Sequence, residues 1–161
     1  MHWDEFATGC PEIAGLGEER LRRNELCLVG TLRQDGSPRI SPCEPDFAAG
    51  QLLLGMMWQS KKALDLLRDP RVYVHAPVTA KEGSPEFKLA GRADVLTDEG
   101  LRTKLDDLWW EMIEWRPAAD SHYFEFLAQR AAWVTYDGKG QTRVVWKLGR
   151  PGEKRLYKAG I

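Results

Sequence analysis

The sequence predicts a mainly β, α+β fold, an antiparallel barrel with one short helix and one longer helix packed outside it. Three observations predict this. Apolar residues alternate in many short runs from Leu26 onward, turn signals such as Asp35-Gly36 punctuate those runs, and only two later segments carry helical periodicity. Many short strands with closely spaced turns suggest closure into a barrel rather than a parallel sheet. A length of 161 residues fits one domain, residues 1–161, with residues 1–25 as a helical lead.

The elements follow in order. Residues 1–25 are polar and helical in patches; Glu18/Arg22 and Glu19/Arg23 stand four apart, as on a solvated helix face. Leu26–Arg33 reads as a strand, Gln34–Ser37 as an Asp-Gly turn, and Pro38–Pro42 as returning extended chain. Phe47–Gly50 turns into a third strand, Gln51–Trp58, which completes an antiparallel meander. Ser60 caps a short helix with a Leu64/Leu67 stripe, stopped at Asp69-Pro70. Arg71–Ala76 is a strand, Thr79–Pro85 a loop, and Phe87–Leu96 a strand with a bulge at Gly91. Thr97 caps the longer helix, where Leu101, Leu105, Leu108, Trp109 and Met112 share a face until Arg116-Pro117 ends it. Tyr123–Tyr136, Thr142–Leu148 and Lys154–Tyr157 are strands, with turns at Asp137-Gly138 and Pro151-Gly152.

Composition narrows the function classes. With 23 basic and 24 acidic residues the formal net charge is −1, which argues against a general nucleic-acid binder. No apolar run approaches the ~20 residues of a membrane span. The start has no basic or signal-like apolar region, and the three cysteines cannot all pair, so a reduced cytoplasmic protein is expected. The charge is uneven. From Lys139 to the end seven basic residues oppose one acid, Glu153, so that segment is +6 and the remainder −7. Such a tail suits either a solvated strand pair or an anion site.

The usual catalytic constellations are missing. Asp120-Ser121-His122 has the letters of a triad, but adjacent residues cannot adopt triad geometry, and the segment reads as a turn. His2, His75 and His122 lack metal-ligand spacing, so neither a metal nor a catalytic side chain is assigned. His75 fits a rim histidine, and it is also the candidate axial ligand if haem binds. Ser60-Lys61-Lys62 places two cations at the positive end of a helix dipole. That is mildly unfavourable unless an anion docks on the free amides, and solvated lysines are the other reading. Met56-Met57-Trp58 puts polarisable side chains beside that turn, as core filling or as a ring-binding wall. Pro38-Arg39-Ile40-Ser41-Pro42 is an extended segment that cannot fully join a ladder, and Arg39 is a candidate second cation.

The run Leu32-Arg33-Gln34-Asp35-Gly36-Ser37-Pro38-Arg39-Ile40-Ser41-Pro42, then a strand, then Ser60-Lys61-Lys62-Ala63-Leu64-Asp65-Leu66-Leu67-Arg68-Asp69-Pro70-Arg71-Val72, resembles the pyridoxamine 5'-phosphate oxidase-like family. The likeness is detailed from Leu26 to Val74, and the element order agrees to about Tyr157. It implies a split β-barrel and a homodimer with two cofactors at the subunit interface. It also implies FMN, or the deazaflavin coenzyme F-420, held by Arg39, Ile40, Ser41, Pro42, Met56, Met57, Trp58, Gln59, Ser60, Lys61 and Lys62. Lys62 falls at the family's recurrent lysine; Asp65 and Leu67 replace the commoner Asn and Arg. The C-terminal arginine pattern of the vitamin B6 oxidases themselves is not evident. The function implied is hydride transfer between a flavin and a small organic substrate. A flavin- or haem-binding carrier or sensor without turnover is the alternative.

Overall fold

The chain opens with two helices that turn out to carry part of the core. In the computed structural model, which describes residues 1–78, 84–114, 116, 121–137 and 140–158, these are α1 (Trp3–Gly9) and α2 (Pro11–Asn24). Trp3, Phe6, Ile13, Ala14 and Leu21 join the main core, and Trp3 meets Phe6 and Phe47 edge-on at centroid separations of 5.3 and 4.9 Å. The expected solvated face of α2 is present only in part. Arg22 and Arg23 do pair with Glu18 and Glu19, but Glu18 also accepts the Trp3 indole N–H at 3.0 Å.

β1 (Cys27–Leu32) and β2 (Pro38–Cys43) form the expected hairpin. Asp35 accepts the Ser37 amide N–H at 2.9 Å and Gly36 takes φ 81°, so the Asp-Gly signal acts as its chemistry requires. The meander then fails. β3 (Pro45–Ala48) and β4 (Gln51–Met56) make a separate hairpin closed at Ala49-Gly50, so Phe47–Gly50 is half strand, and β4 pairs with β7 (His122–Asp137) rather than β2. The reason lies in β2. It is an edge strand, and Pro38 and Pro42 have no N–H to offer a third strand.

β5 (Arg71–His75) and β6 (Glu86–Val95) fill the middle of an all-antiparallel sheet in the order β2-β1-β5-β6-β7-β4-β3. β7 carries β6 along one side. Its other side pairs first with β4 and later with β8 (Gly140–Lys147), which pairs with β9 (Arg150–Lys158). The product is a curled half-barrel, split where no ladder joins β2 to β4. The bulge foreseen at Gly91 is present, with the register against β7 shifting between Ala90 and Gly91. The last turn is not at Pro151-Gly152. It falls at Leu148-Gly149, where Gly149 takes φ 72°, and β9 runs through the predicted turn residues.

α3 (Lys61–Arg68) buries Ala63 and Leu66 rather than a Leu64/Leu67 stripe, and Leu67 is exposed. α4 (Glu99–Ile113) buries Leu101 and Leu105 in a second small cluster with Leu53, Leu96 and Tyr123. Its cap is Asp98, not Thr97; the Asp98 carboxylate accepts the Gly100 and Leu101 amides at 2.8 and 3.1 Å. Trp109 of α4 lies over Gly55 and donates its indole N–H to Asp46 at 3.0 Å. The side chain of Met112, and Trp115, Pro117, Asp120, Gly138, Lys139 and residues 79–83 of the predicted loop, lie outside the described residues. No described helix is long and apolar enough to cross a membrane. All three cysteines are free. Burial pushes the Cys27 thiol up and the Cys43 thiol up to about 12, which keeps both protonated and unreactive near neutrality.

Candidate functional site

The site forms at the split, where β2 faces the connection from β4 into α3. That connection is a four-residue turn: the Ser60 amide donates to the Met57 carbonyl at 3.1 Å, and Gln59 takes φ 57°. Ser60 has the extended backbone of a helix cap, but its hydroxyl makes no cap hydrogen bond. The oxygen is buried and has no partner among the described residues. The first turn that follows holds Lys61 and Lys62 and no acid, so its amides face no side-chain acceptor.

Two polar links hold β2 and α3 together. The Lys62 ammonium donates to the Pro42 carbonyl oxygen, and Arg39 Nε donates to Asp65 Oδ2 at 2.7 Å. Asp65 also accepts the Thr31 hydroxyl at 2.9 Å and an Arg68 N–H at 3.3 Å, with only 4% of the residue exposed. Burial pushes its pKa up, but these hydrogen bonds outweigh that effect and hold the carboxyl below its usual range. Asp65, in the sequence only a departure from a family pattern, is thus the centre of a buried ionic network. The sequence does hold one signal for it, Arg68 three residues on; the partnership with Arg39 and Thr31 is tertiary.

The apolar half of the site divides unexpectedly. Met56 turns inward and belongs to the core, so its side chain is not part of any exposed wall. Met57 and Ile40 are 72% and 74% exposed, Pro42 is exposed and Ser41 half-buried. Trp58 stacks on His122 of β7, with centroids 4.9 Å apart and planes at 18°. Arg39, Ser41, Pro42, Ser60 and Lys62 are therefore brought to one seam, with Lys61 exposed on the same helix turn. An orphaned hydroxyl, two lysines and unfilled helix amides fit a phosphate, and exposed Ile40, Met57 and Trp58 fit a flat apolar ring.

The described side chains of the basic C-terminal segment lie away from this seam within one chain. Arg143 and Lys147 pair with Val134 and Arg130, on the far part of β7. Arg130 stands eight residues from His122, roughly 25 Å along a strand. Arg130 and Arg143 instead line a hollow of about 190 Å³ with Tyr73 and Lys88 on the open face of the sheet. His75 lies on that face too; its Nδ1 is 2.7 Å from the Ala76 carbonyl oxygen and its Nε2 is 3.9 Å from Glu86. Among the described residues no three His, Cys, Asp or Glu side chains gather as a metal site.

Comparison with protein families matches residues 17–138 to pyridoxamine 5'-phosphate oxidase. No curated protein matches the sequence. Solved structures share the fold at low identity. A pyridoxamine 5'-phosphate oxidase-related, FMN-binding protein from Nostoc punctiforme is 14% identical, covers 90% of this chain and 96% of its own, and has a TM-score of 0.68. PhzG from Burkholderia lata, in complex with tetrahydrophenazine-1-carboxylic acid, is 10% identical over 97% and 93%, with a TM-score of 0.69. HutZ, the haem storage protein of Vibrio cholerae, is 14% identical over 75% and 90%, with a TM-score of 0.59.

Proposed function

We propose, for a chain that belongs to the pyridoxamine 5'-phosphate oxidase family, that it binds FMN at the split and acts as an oxidoreductase on a small organic substrate. The observation that carries this is the buried Ser60 hydroxyl without a partner among the described residues, beside Lys61 and Lys62 at the start of α3. A buried polar atom left unpaired costs roughly 1–3 kcal/mol. A phosphate oxygen would remove that cost and would accept the first-turn amides as well. When bound, the flavin supplies the hydride chemistry. The chain's own residues bind and orient. Ser60, Lys61 and Lys62 hold the phosphate, Arg39–Pro42 and Met57–Gln59 border the ring, and Asp65 fixes Arg39 and so the position of β2 against α3.

The same proposal includes a homodimer with two equivalent sites. Leu28 and Tyr73 remain exposed on the outer face of β1 and β5, which suits a partner sheet. Only a second copy would carry the basic hairpin toward the Lys61–Lys62 turn, because one chain holds them far apart. The F-420 reading differs by its longer acidic tail. It draws on Arg130, Lys147 and Arg150, which border one open hollow. Haem is a second reading on one observation: with Nδ1 hydrogen-bonded to Ala76, His75 presents Nε2 for a ligand bond.

The test is the visible spectrum of the purified protein and its thermal response to FMN, F-420 and haem. FMN should give a flavin spectrum and raise the Tm. Ser60→Ala and Lys62→Ala should each weaken FMN several-fold, while Ser60→Ala leaves the Tm of the cofactor-free protein unchanged or higher. Absence of both a flavin spectrum and an FMN-induced shift refutes the reading. A Soret band lost in His75→Ala transfers the assignment to haem.

A further inference from the structure

A further cavity is bordered by Leu67 of α3, Arg102 of α4 and His122, whose ring stacks on Trp58. Its volume is about 210 Å³, and Leu67, Leu96 and Phe124 supply apolar wall while Arg102, Ser121 and His122 supply polar groups. We propose that this cavity binds a small aromatic carboxylate, its ring against the apolar wall and its carboxylate on Arg102, Ser121 and His122. The proposal does not rest on the flavin reading.

Arg102 and His122 are both held in place by aromatic rings. Arg102 is held over the Tyr123 ring, its Cζ 5.1 Å from the centroid. Its acidic partner among the described residues is Glu99, at 3.3 Å, whose side chain is 81% exposed and so screened by water. Most of its N–H fork is left for a ligand. Ser121 is buried, and it lines the cavity beside His122. His122 Nε2 is buried without a partner among the described residues, and its ring is fixed by stacking on Trp58. A ligand that accepts from Arg102, Ser121 and His122 would give the His122 Nε2 a partner and add charge-assisted bonds to the Arg102 fork.

The chemistry of the ligand follows from the inventory. One cation and two neutral donors suit a monoanion better than a phosphate, and a planar carboxylate matches the guanidinium fork. The walls are apolar or aromatic, and the volume is well below that of a drug-sized site, so a single ring fills it.

Benzoate is the probe, titrated calorimetrically into the full-length wild-type protein, with benzyl alcohol as the uncharged comparison. Benzoate should bind, and benzyl alcohol about tenfold or more weaker, because it lacks the charge-assisted bonds. Arg102→Gln should weaken benzoate by a similar factor. Leu67→Trp, at an exposed wall position, should block the cavity without touching the core. Lys62→Ala should leave benzoate affinity unchanged, which separates this site from the phosphate seam. The proposal is overturned if wild type shows no binding at millimolar benzoate. It is also overturned if Arg102→Gln and Leu67→Trp bind as wild type does, or if Lys62→Ala abolishes binding.

Discussion

Asp46 is a carboxylate held where its charge is disfavoured. It lies on β3 beneath α4, with the Trp109 indole as hydrogen-bond donor. Burial pushes its pKa up to about 6, against a smaller opposing effect of the Trp109 bond. A folded-state pKa above the unfolded value means a stability contribution that is full below the ordinary value of 3.8 and is lost as pH rises through about 6. Asp46→Asn keeps an acceptor for Trp109 and removes the charge. It should therefore raise the Tm well above pH 6, by up to about 3 kcal/mol of stability, with the gain vanishing as pH approaches 3.8. Melts across that range check it; a gain that is equal at both ends would contradict it. Asp65 behaves in the opposite sense. Its lowered pKa contributes stability above the ordinary carboxylate value, lost as pH falls through the folded one. Neither environment is legible from the letters, since both acids stand in sequence contexts that look solvated.

Two glycines show how elements dock. A Cβ on Gly91 would sit 2.1 Å from the Leu127 carbonyl oxygen, and one on Gly55 would sit 2.1 Å from the Trp109 ring. Strand backbone cannot yield, whereas an indole can swing away. Gly91→Ala should therefore destabilise the whole fold, by an overpacking cost of at least about 1–3 kcal/mol. Gly55→Ala should cost less globally but release α4, which also loses the Asp46 bond. Hydrogen exchange checks the difference: faster exchange confined to α4 in Gly55→Ala, and across β6 and β7 in Gly91→Ala. The bulge was legible because Gly interrupts an otherwise alternating strand. The Trp109 slot was not, because Gly55 and Trp109 are 54 residues apart and meet only after β4 leaves β2 for β7.

At the scale of the molecule, the half-barrel leaves a sheet face open, with Tyr73 between Gly30 and Ala90 in the ladder. The proposed dimer predicts twice the chain mass in solution. Tyr73→Glu should shift it to the monomer and weaken FMN with it; a monomeric wild type sinks the paired site. By itself the sequence determined the strand and helix content, the Asp-Gly hairpin, the cations at the start of α3 and the family resemblance. Those are local facts, written by alternation, turn chemistry and short motifs. Tertiary structure alone decided that β4 joins β7, that Trp3 and Phe6 belong to the core, that Met56 is buried while Met57 is exposed, and that Asp65 ties Arg39 to α3. It also decided that the Ser60 hydroxyl is left without a partner among the described residues. Each of those depends on which distant surface a residue meets, and burial and pairing between distant segments have no local signature.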